Sequence, residues 1–317
     1  MNVVFMGTPD FAVPTLRQLI SRKHHVQAVV TQPDRAKGRG RKVVPPPVKM
    51  LAQQYGIPVL QPEKVRTREV VHDLEAFAPD VIVVVAYGQI LPESILRIPP
   101  KGCINIHGSL LPKYRGAAPI HWAVIRGETE TGVTTMFMDK GMDTGDILLK
   151  RTLPIAPTDT TGSLHDRLSL LGAELLVDTL GRLEAGTLQR TPQNHKIATY
   201  APMLTKEDGL IHWDESAVVI DRKVRGLSPW PGAYTYFQGK MIKILQVERA
   251  EGVVECENPP PGTVVAVDNT SGVLIATGTD CIRVIRVQPQ NKNAMDCRDF
   301  CRGYRLVIGS QFDAAYR

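Results

Sequence analysis

The chain has 317 residues, 43% hydrophobic and 22% charged, with a formal net charge of +6. That balance fits an ordinary globular protein long enough for two domains, and no apolar run approaches the roughly 20 residues that span a bilayer. Its five cysteines (103, 256, 281, 297 and 301) are odd in number and lack a Cys-x-x-Cys pair, so neither a disulfide framework nor a metal site is indicated.

The charge is unevenly placed. From Lys206 to Arg317 there are 14 basic and 14 acidic residues, so the whole excess lies in residues 1–205. Asn2 to Gly7 reads as a buried strand from the very start, which leaves no room for a signal peptide and points to the cytoplasm. An apolar-periodic helix from about Phe11 to Ser21 follows, and then a strand from Val26 to Thr31. This opening has the architecture of a dinucleotide fold. The turn Gly7-Thr8-Pro9-Asp10-Phe11-Ala12 nevertheless lacks Gly-x-Gly-x-x-Gly, and no Gly-Lys-Ser/Thr loop occurs, so bound NAD or ATP is unsupported.

Next comes a basic run in which Arg35, Lys37, Arg39, Arg41 and Lys42 fall within eight positions, interleaved with glycines that predict a mobile loop. A helix from Pro47 to Tyr55, a strand from Pro58 to Gln61, a helix from Thr67 to Phe77 and a strand from Asp80 to Tyr87 continue the alternation. The predicted fold is α/β: a Rossmann-like open, mostly parallel sheet with flanking helices. Val81 to Ala86 is apolar on both faces, as a central parallel strand should be.

Cys103 to His107 alternates with a period of two, so Asn105 and His107 should share one face of a strand that ends at the turn Gly108–Pro112. Asp143 follows in the loop Lys140 to Asp146. An amine attacking an acyl carbon builds negative charge on oxygen and positive charge on nitrogen. Such a reaction wants a fixed amide donor and a base that moves protons near neutrality. Asn105 supplies the first and His107 the second, while Asp143 would fix the imidazole's tautomer and stabilise its charged form. No Ser or Cys nucleophile is required. The same residues also fit a satisfied polar pair on a strand and ordinary turn-formers in a loop.

Beyond them, a helix from Pro119 to Arg126, strands Thr131 to Met138 and Ile147 to Ile155, and a long amphipathic helix from Thr161 to Ala185 complete a first domain over residues 1–188. Residues 189–208 read as a linker. Short strands at Tyr234–Gln238, Met241–Glu248, Gly262–Val267, Val273–Thr277 and Cys281–Gln288 suggest a small β-barrel within a second domain, 209–317, which closes with a helix from about Ala294 to Arg302. Arg222, Lys223, Arg225, Lys243, Arg283 and Arg286 could form one basic face on it.

The run from Asn105 to Ile120, with Ser109-Leu110-Leu111-Pro112 inside it, and the run from Gly132 to Gly145 closely resemble the folate-dependent formyltransferases. The resemblance implies that Asn105, His107 and Asp143 are the catalytic set. It implies that Ser109, Leu110, Leu111 and Pro112 line a folate site, joined by Ala86, Tyr87, Gly88 and Ile90, whose backbone helps bind the pterin. It further implies 10-formyltetrahydrofolate as formyl donor with no metal, an OB-like C-terminal domain, and methionyl initiator tRNA as acceptor, its acceptor arm held by Arg35, Lys37, Arg39, Arg41 and Lys42. A monomer free of membranes is expected. Lys140 departs from the apolar or acidic residue expected there. A formyltransferase acting on a small amine, a formyltetrahydrofolate hydrolase and a non-catalytic RNA-binding module remain alternatives, each leaving part of this sequence idle.

Overall fold

The computed structural model describes residues 1–37, 42–250, 259–268 and 272–314. The chain divides into two compact units. One comprises Met1–Pro119, Glu130–Pro154 and His165–Ala201; the other comprises Ile120–Thr129, Ile155–Leu164 and Pro202–Arg317.

The elements run in the order β1 (Asn2–Gly7), α1 (Val13–Ser21), β2 (His25–Val30), β3 (Arg35–Lys37), β4 (Lys42–Val44), α2 (Pro47–Gln54), β5 (Val59–Leu60), α3 (Arg68–Ala76), β6 (Val81–Val85), α4 (Glu93–Leu96), β7 (Cys103–His107), α5 (Pro119–Ile125), β8 (Glu130–Phe137), β9 (Ile147–Pro154) and α6 (Thr161–Glu184). In the first unit, seven strands form one sheet in the order β5-β2-β1-β6-β7-β8-β9. The run from β5 to β7 is parallel, and β8 and β9 are antiparallel additions. Strands β1 and β6 are buried along almost their whole length, which is why both read as continuous apolar runs. Helix α6 crosses close to β7, where a Cβ on Gly172 would lie 2.9 Å from Ile106, so the approach depends on glycine. Among the described residues no helix is long and apolar enough to cross a membrane.

The described ends of the basic run form strands. β3 and β4 pair antiparallel as a hairpin, with Lys37 and Lys42 at facing register positions. Asp34 anchors the base of the hairpin. Its carboxylate accepts from Lys49 Nζ at 2.7 Å and from Gln61 Nε2 at 2.6 Å, and these two donors hold its pKa below the usual carboxylate range.

The second unit contains α7 (Ala217–Gly226), β10 (Ala233–Phe237), β11 (Lys240–Ala250), β12 (Val264–Asp268), β13 (Gly272–Ala276), β14 (Cys281–Pro289), β15 (Met295–Asp296) and α8 (Cys297–Tyr304). Helix α7 lies where the sequence analysis places no helix, although its signals are present in the sequence. Ser216 caps it by accepting from Val219 N, and Ala217, Ile220 and Val224 recur at helical spacing on its buried side. Helix α8 begins three residues later than expected because Asp296 is its cap.

The antiparallel sheet runs β10-β11-β14-β13-β12, and the C-terminal segment joins its two edges. Gln311 bridges Thr263 beside β12, and Asp313 bridges Tyr236 in β10 through two hydrogen bonds of 3.0 and 2.9 Å. The edges are thereby paired and the sheet closes into an OB-like barrel. Phe312, between the two bridges, is buried against Trp213 and Phe237. Phe312→Ala should cost about 3–5 kcal/mol of stability in this unit. Urea unfolding followed by tryptophan fluorescence checks this, and an unchanged midpoint would mean that the tail does not close the barrel.

Candidate active site

In an open α/β sheet, ligands collect beyond the carboxyl ends of the strands where strand order reverses, here between β1 and β6. Strand β7 pairs with β6 and β8 without a register shift, so Asn105 and His107 lie on one face. Asn105 is half-buried, and its side-chain amide has no hydrogen-bond partner among the described residues. It is a donor and acceptor left available.

His107 is differently placed. Its side chain is 7% exposed, and Nε2 lies 2.8 Å from the carbonyl oxygen of Tyr114. A carbonyl only accepts, so Nε2 carries a proton. Nδ1 lies 3.6 Å from Oδ2 of Asp143, so this second ring nitrogen faces a carboxylate. Asp143 was expected to fix the tautomer. The Tyr114 carbonyl fixes it instead, a main-chain role that no side-chain pattern reveals. The Asp143 carboxylate also accepts from Gly116 N at 2.8 Å.

Three non-glycine residues at this end of the sheet hold left-handed backbone: Ala86 at φ 47°, Tyr114 at φ 60° and Asp143 at φ 53°. Each such residue costs on the order of 1–3 kcal/mol and persists only where its surroundings over-determine it. Around Tyr114 those surroundings come from the stretch expected to be a linker. Tyr114 N donates to Thr199 Oγ1, Arg115 N donates to the Thr199 carbonyl, and Ala201 N donates back to the Arg115 carbonyl.

The residues expected to line a folate site divide by burial. Ser109 and Leu111 turn inward: Ser109 Oγ donates to the Lys113 carbonyl, and Leu111 N donates to Thr134 Oγ1. Leu110 and Pro112 remain half-buried. The Tyr87 side chain is buried and its carbonyl accepts from Thr8 Oγ1 and Gln32 Nε2, tying the ends of β1, β2 and β6 together. Desolvation pushes its phenol up to about 12. Ala86, Gly88 and Ile90 are exposed, Ile90 at 82%. They form a rim of accessible backbone with one apolar side chain. Two residues before Asn105, burial pushes the Cys103 thiol up to about 12, so it stays protonated and is no nucleophile.

Of the expected tRNA contacts, Arg35, Lys37 and Lys42 lie on the β3–β4 hairpin, while Arg39 and Arg41 lie outside the described residues. In the second unit the expected basic face is partly spent internally. Arg225 donates to Asp221 and to the Asp159 carbonyl, Lys223 is 3.8 Å from Glu215, and Lys243 donates to the Pro231 carbonyl.

A family model described as "Formyl transferase" matches residues 1–180, and one described as "Formyl transferase, C-terminal domain" matches residues 203–305. The chain belongs to the formyl transferase family. It is 55% identical over 309 residues to the methionyl-tRNA formyltransferase of Geobacter metallireducens, covering 98% of this chain and 97% of that one. It is 54% identical over 311 residues to the methionyl-tRNA formyltransferase of Desulforamulus reducens, with 98% and 97% covered. Among solved structures, HypX from Aquifex aeolicus in complex with tetrahydrofolic acid shares the fold at a TM-score of 0.66 and 18% identity, over 98% of this chain and 48% of that one. WlaRD, a sugar 3N-formyl transferase, aligns at a TM-score of 0.67 and 17% identity, over 92% and 99%.

Gly116 follows the Tyr114 turn in a backbone conformation that suits glycine. At φ +112° a Cβ would be strained, and it would lie 2.8 Å from the Ala201 carbonyl oxygen. Gly116→Ala should lower stability by about 1–3 kcal/mol through that strain. A thermal melt reads this, and an unshifted melting temperature would show that the turn tolerates a side chain.

Proposed function

We propose that the chain transfers the formyl group of 10-formyltetrahydrofolate to the free amino group of methionyl initiator tRNA, giving the N-formylated initiator used to begin translation. Near full-length identity to proteins named for that reaction carries the reading. The chemistry follows from the site. The amine must reach the formyl carbon uncharged, and as its lone pair attacks, charge collects on the formyl oxygen. The free amide of Asn105 is the donor available to hold that oxygen, where a preorganised dipole acts without reorganisation. A carbon–nitrogen bond to the acceptor forms, the bond to folate N10 breaks, and one proton passes from the incoming amine to the departing nitrogen. His107 is the group to carry it, and with Nε2 committed to Tyr114 the proton enters and leaves at Nδ1. Asp143, beside that nitrogen, aligns His107 or a water.

The donor itself suits the rim described above. A flat pterin presents hydrogen-bonding edges to main chain and faces to apolar side chains, and Ala86, Gly88 and Ile90 offer both, with Leu110 half-buried in the turn that follows β7. The acceptor is a polyanion. Arg35, Lys37, Arg39, Arg41 and Lys42 form a cationic run that can release counterions from phosphates, and its arginines can also stack on or fork onto bases. The reading takes the working form to be a cytoplasmic monomer, with catalysis in residues 1–188 and tRNA binding shared by residues 209–317.

Two measurements test this. Asn105→Ala, His107→Ala and Asp143→Asn should each depress kcat in single-turnover formylation of charged initiator tRNA by roughly a hundredfold or more, while KM for tRNA changes little. Equal losses in binding and turnover would make these residues structural. Replacing Arg39 and Lys42 with Ala should raise KM for tRNA and flatten its dependence on salt. Unaltered tRNA kinetics across a salt series would remove the basic run from the acceptor site.

A further inference from the structure

Arg115 is the largest fully buried side chain among the described residues, only 1% exposed. A buried guanidinium is expected to meet a carboxylate, because an uncompensated charge in the interior is costly. Its partners here are neutral instead. Nε and Nη2 both donate to one acceptor, Oε1 of Gln193, at 3.1 and 2.6 Å, and Nη1 donates to Nδ1 of His195 at 3.2 Å. Gln193, itself 6% exposed, has its carbonyl end fully engaged, and its amide end points the other way. There Nε2 donates to the main-chain carbonyls of Asp143 and Gly145, both at 2.8 Å.

These bonds make one connected object. A cation immobilises an amide, and the amide grips the backbone of the residue in left-handed conformation that faces His107. The grip is two-pronged and directional, which a strained turn in an otherwise exposed loop requires if its carboxylate is to stay in one place. Met142 next to it is 59% exposed, so packing does not do this work. Gln193 comes from the polar stretch that reads in sequence as a tether between domains.

We propose that Gln193, oriented by Arg115, is a positioning residue for the reaction: it holds the Asp143–Gly145 backbone so that the Asp143 carboxylate stays beside Nδ1 of His107. The inference rests on the reading of Asp143 as part of the catalytic set. Neither Arg115 nor Gln193 touches a reacting atom.

The test exploits the two ends of Gln193. Gln193→Glu keeps an acceptor for Arg115, now as a salt bridge, but cannot donate to the two carbonyls. Formylation of charged initiator tRNA should show kcat reduced by about tenfold or more, with KM for tRNA and for the folate donor within about twofold of wild type and the melting temperature retained or raised. The decisive readout is a double-mutant cycle in kcat with Asp143→Asn. Action through Asp143 means that the double variant loses little beyond Asp143→Asn alone, whereas independent effects would multiply. Wild-type kcat in Gln193→Glu, or full multiplication in the cycle, overturns the proposal. Wild-type kcat in Asp143→Asn alone would instead overturn the catalytic reading of Asp143, whatever Gln193→Glu does. If Gln193→Glu melts early, Gln193→Met, which fills similar volume without either hydrogen bond, is carried through the same cycle: a lowered kcat that does not multiply with Asp143→Asn supports the proposal, and wild-type kcat or full multiplication overturns it.

Discussion

The site depends on one hydrogen bond, from Nε2 of His107 to the carbonyl of Tyr114. An imidazole with two free nitrogens can present either tautomer and rotate. One whose Nε2–H is bound to a carbonyl presents its other nitrogen in a fixed direction. For that carbonyl to point at the ring, Tyr114 must adopt a left-handed backbone that L-residues avoid, and Gly116 must follow at a φ that suits glycine. The strain in turn needs restraint, which the 193–201 stretch supplies through Thr199 and Ala201 on one side of the turn and Gln193 on the other. Strand, turn and apparent linker are therefore one mechanical assembly around a ring nitrogen.

The second consequence is electrostatic. Asp143 faces Nδ1 of His107 at 3.6 Å, and among the described residues its carboxylate is held by a main-chain N–H rather than by a lysine or arginine. A lysine or arginine bound to the carboxylate would compete with the imidazolium for its charge, whereas a neutral donor orients it and leaves the charge for the ring. The buried cation Arg115 is kept one residue further back, with Gln193 between. Its charge is near the loop but not directly on the carboxylate.

How much of this could be read from sequence follows from what each signal encodes. The alternation of Cys103 to His107 specified a strand and put Asn105 and His107 on one face, because period two has a single geometric meaning. The apolar runs of β1 and β6 specified a parallel sheet for the same kind of reason. The tautomer's partner was invisible, since a carbonyl belongs to every residue and only the turn's dihedral angles select Tyr114. Gln193 and Arg115 were invisible for a different reason. A Gln in a polar, proline-containing stretch carries no periodicity, and burial of an arginine emerges only when residues 78 positions apart meet. At the ends of the basic run Arg35–Lys37 and Lys42–Val44 pair as strands, an outcome of cross-strand register that composition does not contain. Helix α7 is legible in sequence through local signals, its Ser cap and its 3–4 spacing, which lie among residues that also carry a cluster of charge.

The closure of the second unit illustrates the same division between local and long-range information. Each of its strands is marked by β-branched and apolar residues, yet a five-strand path β10-β11-β14-β13-β12 with open edges would invite pairing with other chains. What removes the edges is a short segment near Phe312 that has no strand pattern of its own and is recruited because Phe312 fills the aromatic cluster of Trp213 and Phe237. Burial of one ring thus carries along the main-chain bonds that satisfy β10 and the lead-in to β12. A barrel is specified here by a hydrophobic anchor rather than by strand propensity, much as the turn at Tyr114 is specified by distant polar anchors rather than by the residues that form it.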